Sequence, residues 1–344
     1  MVQSGSSPSN RKGTTPKNGV LQVRAGVDRL SVTFPVWAYE GRPEAWVTRS
    51  ISGSPSSERR LLNGFVQCGA VRVFVGVSEA YVDGAMIRRT GKFECNPSRV
   101  LDPDGYSLAS LSEASECFSD VLGAVEQLVV PSCDVSEFRV TRLDVARDFV
   151  GVDHPSVLIR SLGSLHRPWS RRNLTHADPS RNGAQTLMVG SGAGVVRLYD
   201  KAEETRGKAP PGTVRWEAEC RKAWAENYGG VKHLGDLSDD SVDALASDRW
   251  EWSQMGAEVA GDLSRLVERV SVSDLSAAQK RGFLGFLVQQ AAGLDCSDIS
   301  QTTLAKYRRL QRELGIVAPA QLSATVRLLR RLDWDSGVEV QRVA

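Results

Sequence analysis

Hydrophobic and polar residues alternate with a period of two along several short stretches of the first two thirds of the chain. VDRLSVTF (27–34) and AVRVFVGV (70–77) alternate in this way and are rich in valine, and GKFECNP (91–97) is a shorter stretch of the same kind. Such alternation predicts half-buried strands. Between 107 and 130 the period changes. Leu108, Leu111, Phe118, Val121, Leu122, Val125 and Leu128 fall on one face of a helix. After Pro131 the pattern predicts strands at 137–150, 185–190, 195–201 and 213–220, with a short helix at 155–162. From about 238 the pattern is helical. It includes 302–315, where Leu304, Tyr307, Leu310 and Leu314 share a face, and a second helix at 319–332. Residues 1–20 are rich in Ser, Gly, Pro and Asn and read as a disordered tail. The chain is therefore expected to be α+β, with a mostly antiparallel sheet, a main domain over 21–237 and a helical region over 238–344. Two halves echo each other: 27–34 resembles 142–149 with an offset, and Lys92-Phe93-Glu94-Cys95 resembles Arg215-Trp216-Glu217-Ala218. Two similar β-rich halves are expected.

Three of these strands each carry one polar face. Side chains two apart in a strand share a face. In 140–150, Arg142, Asp144, Ala146 and Asp148 lie together, while Leu143, Val145 and Phe149 lie opposite, interrupted by Arg147. In 194–201, Arg197, Tyr199 and Lys201 share a face. In 213–222, Arg215, Glu217, Glu219 and Arg221 share a face, with Val214, Trp216, Ala218 and Cys220 on the other. The last segment also fits a helix, in which Glu217 and Arg221 form an i,i+4 pair. Any one of these strands also reads as ordinary solvated sheet. In one sheet, however, their polar faces merge into a group of carboxylates, arginines, a lysine and a tyrosine. Arg197 and Lys201 beside Tyr199 are expected to favour its phenolate.

That group limits the chemistry. Carboxylates without histidine or thiolate suit a hard divalent cation such as Mg²⁺ or Mn²⁺. The four histidines are isolated, and the six cysteines form no CxxC pair and no zinc-ligand spacing. A reduced cytoplasmic protein with buried thiols is expected, and no apolar run is long enough for a membrane span. The glycines at 190, 192 and 194 match no complete phosphate-loop pattern and read as a hairpin turn. Net charge is +2, so a nucleic-acid partner must be recognised locally.

The ordered set RLDVARDF (142–149), TLMVGSGAGVVRLYDKAEE (186–204) and RWEAECRK (215–222) resembles the replication-initiation-factor family. An early VDRLSVTF strand and the segment Asn96-Pro97-Ser98-Arg99 are similar to it as well. That family comprises rolling-circle initiators of small plasmids and filamentous phages, and related relaxases of integrative elements. The resemblance spans roughly 25–230. It implies site-specific DNA nicking and rejoining through a 5′-phosphotyrosyl intermediate. It makes Tyr199 the nucleophile and Asp144, Glu217 and Glu219 the metal-holding acids, with Asp148 as a further candidate. Lys201 matches the basic residue after the tyrosine, and Arg197 is placed with them in the catalytic set. The GSGAG hairpin departs from the family's longer basic segment, which bears on how this loop grips DNA.

Other basic residues are candidates for holding duplex or single-stranded DNA. Arg160, Arg167, Arg171, Arg172 and Arg181 cluster in 158–181 around Trp169, against the single acid Asp178. Arginine interleaved with an aromatic suits backbone contact plus stacking on an unpaired base. A solvated basic loop reads the same way. Residues 302–344 hold eight Lys and Arg against four Asp and Glu, and Arg309 and Arg312 could face DNA from a helix-turn-helix. A relaxase for conjugative transfer, a non-catalytic DNA-binding regulator and a water-activating metal nuclease are the competing functions. A homodimer and a host helicase are the partners these readings leave open.

Overall fold

The computed structural model describes residues 25–39, 47–54, 57–103, 106–152, 154–163, 172–175, 177–255, 258–259, 263–291, 296–317, 332–333 and 337–338. The expected tail (1–20), the loop carrying Arg167, Trp169 and Arg171, and most of the second C-terminal helix (319–332) lie outside the described residues.

The chain begins with β1 (Gly26–Tyr39), β2 (Val47–Ser54), β3 (Ser57–Cys68), β4 (Val71–Val82) and β5 (Ala85–Cys95). Next come α1 (Pro97–Leu101), α2 (Leu111–Glu126), β6 (Val129–Pro131), β7 (Arg139–Phe149), α3 (Pro155–Gly163) and β8 (Arg172–Thr175). The hairpin β9 (Thr186–Ser191) and β10 (Gly194–Asp200) leads through α4 (Lys201–Glu204) to β11 (Val214–Arg221), α5 (Lys222–Gly229) and α6 (Asp239–Ser253). The remaining elements are β12 (Glu258–Val259), α7 (Leu263–Ser271), α8 (Ala277–Ala291), α9 (Gln301–Leu314) and β13 (Ile316–Val317), with two further two-residue strands beyond them. The fold is α+β, as the pattern predicts. The segment 213–222, open between strand and helix in the sequence, is a strand that turns helical at Lys222. The helix expected over 107–130 is the shorter α2, started by a capping box in which Ser110 and Glu113 each accept from the other's backbone N–H, and Val129–Pro131 after it is the strand β6 paired with β1.

One sheet of eleven strands dominates, in the order β2-β3-β4-β5-β1-β7-β11-β10-β9-β8, with β6 paired to β1. Its pairings are antiparallel throughout. The order is the same read outward from the centre. β1 and β7 pair in the middle, each is flanked by the last strand of its own half, and the earlier strands follow towards the edge. The two sequence echoes therefore occupy equivalent places: Phe93 on β5 and Trp216 on β11 both point into the core and are fully buried.

The apolar face of the sheet is covered by helices, and their side chains form one core. It joins Val32, Phe34, Val75 and Phe93 to Phe118 and Val121 of α2, and Leu198 and Trp216 to Ile159 of α3 and Trp250 of α6. Trp250 stacks on Phe149 at 5.3 Å and meets Trp216 edge-on at 5.9 Å, which docks α6 on the second half. The helical region expected from 238 thus opens with a helix that belongs to the sheet's core. A second core follows, built by Leu266, Val270, Phe283, Phe286, Leu287, Leu304 and Ile316. The six cysteines are free, and among the described residues no helix is long and apolar enough to cross a membrane.

Close packing shows at Gly194, the first residue of β10. A Cβ there would lie 2.4 Å from the Glu219 carbonyl oxygen and 2.4 Å from the Trp224 ring. Gly123, inside α2, has nothing within 4 Å of an added Cβ. Gly194→Ala is expected to destabilise the fold by about 2 kcal/mol or more through forced backbone displacement. Gly123→Ala should be neutral or stabilising by up to about 1 kcal/mol, because alanine is the better helix former. Urea melts of the two variants check this; equal midpoints would show that the hairpin is not held against β11 and α5.

Candidate active site

β7, β11 and β10 are adjacent, so their polar faces merge on the side of the sheet away from the core. Register sets the neighbours. Glu219 opposes Asp144 and Arg215 opposes Asp148 across β11–β7. Arg197 opposes Glu217 and Tyr199 opposes Arg215 across β11–β10. β1 approaches β7 from the other side with a bulge between Val27 and Arg29. Val27 and Leu30, three residues apart, both enter the core, and the extra residue lets Asp28 join the polar face.

At the centre, one carboxylate oxygen each from Asp28, Asp144 and Glu217 lies within 4.8 Å of the others. Arginines surround them. Arg142 grips Asp144 with two nitrogens at 2.5–3.0 Å and reaches Glu219 at 3.2 Å. Glu217 accepts from Arg181 at 3.1 Å and Arg197 at 3.1 Å. Glu219 is held by Arg197 at 2.9 Å and Arg221 at 3.2 Å. Arg215 forms a two-pronged pair with Asp148 at 2.6 and 2.8 Å and lies 3.6 Å from Asp28. Of the four acids expected from the sequence, Asp144 and Glu217 come together in the triad. Glu219 stands at its edge and Asp148 is occupied by Arg215. The third member, Asp28, was not among the sequence candidates.

The Tyr199 ring lies at this centre with 1% of its surface exposed. Its hydroxyl donates to Glu217 Oε2 at 3.3 Å. The Arg181 guanidinium sits 3.9 Å from the ring centroid. Lys201 begins α4 just past the strand, pairs with Glu204 at 2.7 Å and keeps its ammonium 5.8 Å from the Tyr199 ring. The cavity over this group has a volume of about 710 Å³. Arg29, Arg99, Arg142, Arg206 and Lys208 are among the basic residues lining it, with Asn96 and Ser98 of the segment singled out in the sequence.

Burial governs the ionisation. It pushes Asp144 up to about 7 against the pull of Arg142, with Glu217 and Asp28 adding to the rise. Burial and Glu217 also raise Asp28. Glu217 is equally buried, but Arg181, Arg197, Arg215 and Lys201 outweigh the burial and hold it below the usual carboxylate range. Burial, then Glu217, pushes the Tyr199 phenol well above its ordinary value, although Arg215 and Arg181 oppose them. This reverses the sequence expectation of a favoured phenolate: that reading counted the flanking cations and not the burial.

Among the DNA-contact candidates, Arg172 starts β8, an edge strand. Arg309 and Arg312 lie on α9, outside the cavity lining, where Arg309 pairs with Glu313 at 3.3 Å. Arg181, read from the sequence only as part of the basic loop, is in fact packed against the tyrosine.

No protein-family model matches the chain. No curated protein matches it either. Among solved structures, the chain is similar to a rolling circle replication initiator protein from Geobacillus stearothermophilus. The identity is 18%, the match covers 58% of this chain and 74% of that one, and the TM-score is 0.28, too low to establish a common fold.

The raised Asp144 gives a stability prediction. A carboxyl held at about 7 when folded, against 3.8 in the unfolded chain, makes folding take up a proton. Its cost is absent at low pH, grows as pH rises from about 4 and is complete above 7, at roughly 4 kcal/mol. Asp144→Asn, in chelator, should therefore gain stability relative to the wild type between pH 5 and 8 in urea melts (about the two ends of that window). An unchanged gap between the two proteins at both pH values would show that the folded carboxylate is already ionised.

Proposed function

We propose that this chain is a metal-assisted DNA strand-nicking and rejoining enzyme of the rolling-circle initiator type, with Tyr199 as nucleophile. The observation that carries this reading is the juxtaposition of a tyrosine hydroxyl, 3.3 Å from Glu217, with three clustered carboxylates, two of them buried, in a cavity rimmed by arginines. The ordered sequence motifs that resemble the replication-initiation-factor family support it. A relaxase acting in conjugative transfer uses the same chemistry.

The donor set fits a divalent ion. Three oxygen donors on adjacent strands, with no nitrogen or sulfur among them, suit Mg²⁺ or Mn²⁺. Two of them, Asp28 and Asp144, are pushed up by burial and by their neighbours' negative charge, the condition a cation relieves. Asp28, Asp144 and Glu217 would hold the ion, which when bound supplies positive charge to a phosphodiester as negative charge builds on it.

The protein's own groups supply the rest. Arg99 and Arg206 rim the cavity and hold the DNA backbone, while Arg142 and Arg197 stay on the carboxylates. The Tyr199 oxygen attacks phosphorus, forming the Oη–P bond and breaking the bond from phosphorus to the 3′ oxygen. Glu217, the hydrogen-bond acceptor of the hydroxyl, orients it, and the proton lost from the phenol is balanced by the one taken up as the departing 3′ oxygen becomes a hydroxyl. The energy of the broken link stays in the phosphotyrosyl bond, so a 3′-hydroxyl can reverse the step. Arg181 over the ring and Arg215 beside it stabilise negative charge on the phenol oxygen.

The burial of Tyr199 and its raised phenol favour one other reading, a nuclease in which water rather than the phenol attacks phosphorus, with Asp28, Asp144 and Glu217 holding the ion that would lower that water's pKa. Supercoiled plasmid carrying the protein's own origin separates the two. Tyr199→Phe should keep fold and DNA binding but lose nicking and the covalent protein–DNA adduct by many orders of magnitude. A variant that nicks at the normal rate would falsify the nucleophile and favour activated water. The metal has its own readout. Mn²⁺ should raise the Tm of the wild type at pH 8 and raise it less at pH 6 (roughly a unit either side of the Asp144 midpoint), because protons compete for Asp144. Asp28→Asn should remove most of that gain; an undiminished gain would place the ion elsewhere.

A further inference from the structure

The first half of the sheet contains a counterpart of the active site. Across β5–β4, Lys92 opposes Gly76 and Glu94 opposes Phe74. Across β11–β10, Arg215 opposes Tyr199 and Glu217 opposes Arg197. With Lys92-Phe93-Glu94 equivalent to Arg215-Trp216-Glu217, Gly76 stands where Tyr199 stands and Phe74 where Arg197 stands. Glu94 takes the place of Glu217, but it accepts from Ser31 at 2.7 Å and Arg29 at 3.1 Å and belongs to no carboxylate triad among the described residues. The counterpart therefore lacks the nucleophile and the clustered acids.

What it keeps is space and positive charge. A groove of about 670 Å³ crosses this half, nearly the volume of the catalytic cavity. Arg59, Arg88, Lys92, Arg139 and Lys222 line it, and among the described residues no Asp or Glu does. Arg59 donates to the uncharged Ser78 hydroxyl at 2.9 Å. Lys92 and Arg139 are steadied from outside the lining by Glu94 at 3.7 Å and Glu226 at 2.9 Å. Gly76 keeps the floor open: an added Cβ would lie 3.2 Å from Asn63 Oδ1 and 3.3 Å from the Phe74 ring. Phe74 meets Phe65 edge-on at 5.9 Å, and Phe65 is 55% exposed although it is a large apolar side chain.

The groove lies on the same sheet face as the catalytic cavity. Arg29, at the cavity, and Thr33, at the groove, are four residues apart on β1 and alternate with the core residues Leu30, Val32 and Phe34. From β10 to β4 is five strand spacings, about 24 Å. A polyanion leaving Tyr199 along this face meets basic side chains and then an exposed aromatic ring. Basic side chains suit phosphates, and the half-exposed Phe65 ring, with the Arg72 guanidinium 4.8 Å from its centroid, suits stacking by an unpaired base rather than by a duplex whose bases are already stacked.

We infer that this groove is a second, non-catalytic cradle that holds single-stranded DNA running from the nicking site. The inference rests on the DNA reading of the active site. The probe is a labelled oligothymidylate of roughly 16 nucleotides, with one of roughly 4 for comparison, lengths that bracket common single-strand sites. Fluorescence anisotropy across a salt series reads binding to the full chain. The wild type is expected to bind the longer strand more tightly. Arg59→Ala/Arg88→Ala/Lys92→Ala should weaken that binding at least tenfold and reduce the slope of log K against log salt by about 2, at about 0.7 per phosphate contact. Arg59→Lys/Arg88→Lys should keep the slope, which separates lost charge from lost fold. Phe65→Leu should weaken binding several-fold with the slope unchanged. Tyr199→Phe should bind as the wild type does, so a failure of the nicking chemistry leaves this result readable. Wild-type affinity in the triple variant, equal losses in the alanine and lysine variants, or a preference for duplex of the same length each overturn the cradle.

Discussion

Buried charge is the constraint on which this structure turns. Asp28, Asp144 and Glu217 bring three carboxylates within 4.8 Å on a sheet face where Asp144 and Glu217 are almost fully enclosed. Isolated carboxylates in such a place would cost many kcal/mol, so each must be paired or protonated. Arg142, Arg181, Arg197 and Arg215 do the pairing, and each is placed by strand register or by the short turn that follows β8. A stiff antiparallel sheet makes this possible. It fixes side chains at regular spacing, and its other face buries enough aromatic and aliphatic surface, from Phe34 to Trp250, to hold the charged face in place. The balance is unequal. Glu217 receives more positive charge than it needs to stay ionised, whereas Asp28 and Asp144 receive too little. A cation at the triad corrects that inequality, which ties the stability of the fold to the proposed chemistry.

Most of the second half was legible because the signal was local. Period-two alternation in 142–149, 194–200 and 214–221 assigned Asp144, Arg197, Tyr199, Glu217 and Glu219 to one face each, and strand pairing then merged those faces. The echo of Lys92-Phe93-Glu94 in Arg215-Trp216-Glu217 foretold a sheet whose order repeats about its centre. Asp28 was hidden by a β-bulge. In a regular strand with Leu30 in the core, Asp28 would face the core as well; the extra residue turns it to the other side. Only an acid at an apolar position of VDRLSVTF hinted at this. The phenol's ionisation was also beyond a one-strand reading. Arg197 and Lys201 are visible as neighbours, but burial comes from the cover supplied by Arg181 and the surrounding strands. Arg181 itself lies in a loop, where spacing carries no information about direction. The division between the two cores was blurred for a similar reason: α6 has helical periodicity like α7 to α9, and it is the packing of Trp250 on Phe149 and Trp216 that shows which core it joins.

The two halves show how one frame supports different surfaces. Glu94 and Glu217 stand at equivalent positions, yet one answers a serine and an arginine while the other anchors a carboxylate group. At the neighbouring position one half carries glycine and the other tyrosine. The backbone supplies the same spacing in each; the side chains decide whether the space becomes a cavity with reactive groups or an open basic groove. Nothing in the core has to change for that difference, because the polar face and the core face are separated by the alternation of the strand itself.

That separation bears on how the proposed nucleophile, Tyr199, is held. Burial is the largest influence holding the Tyr199 phenol protonated, and Glu217 is the next. Glu217 is also one of the triad. Positive charge placed among Asp28, Asp144 and Glu217 therefore acts twice: it satisfies two carboxylates that the arginines leave short, and it cancels the negative charge that opposes the phenolate. Arg181 and Arg215 already pull in the same direction, and neither has to move for the balance to shift. The hydrogen bond from the hydroxyl to Glu217 holds the phenol in place, and a cation on the same carboxylate would weaken the hold of that negative charge on the phenol's proton. Sealed at 1% exposure, the proposed nucleophile feels that charge strongly, because little water lies between it and its neighbours to screen it.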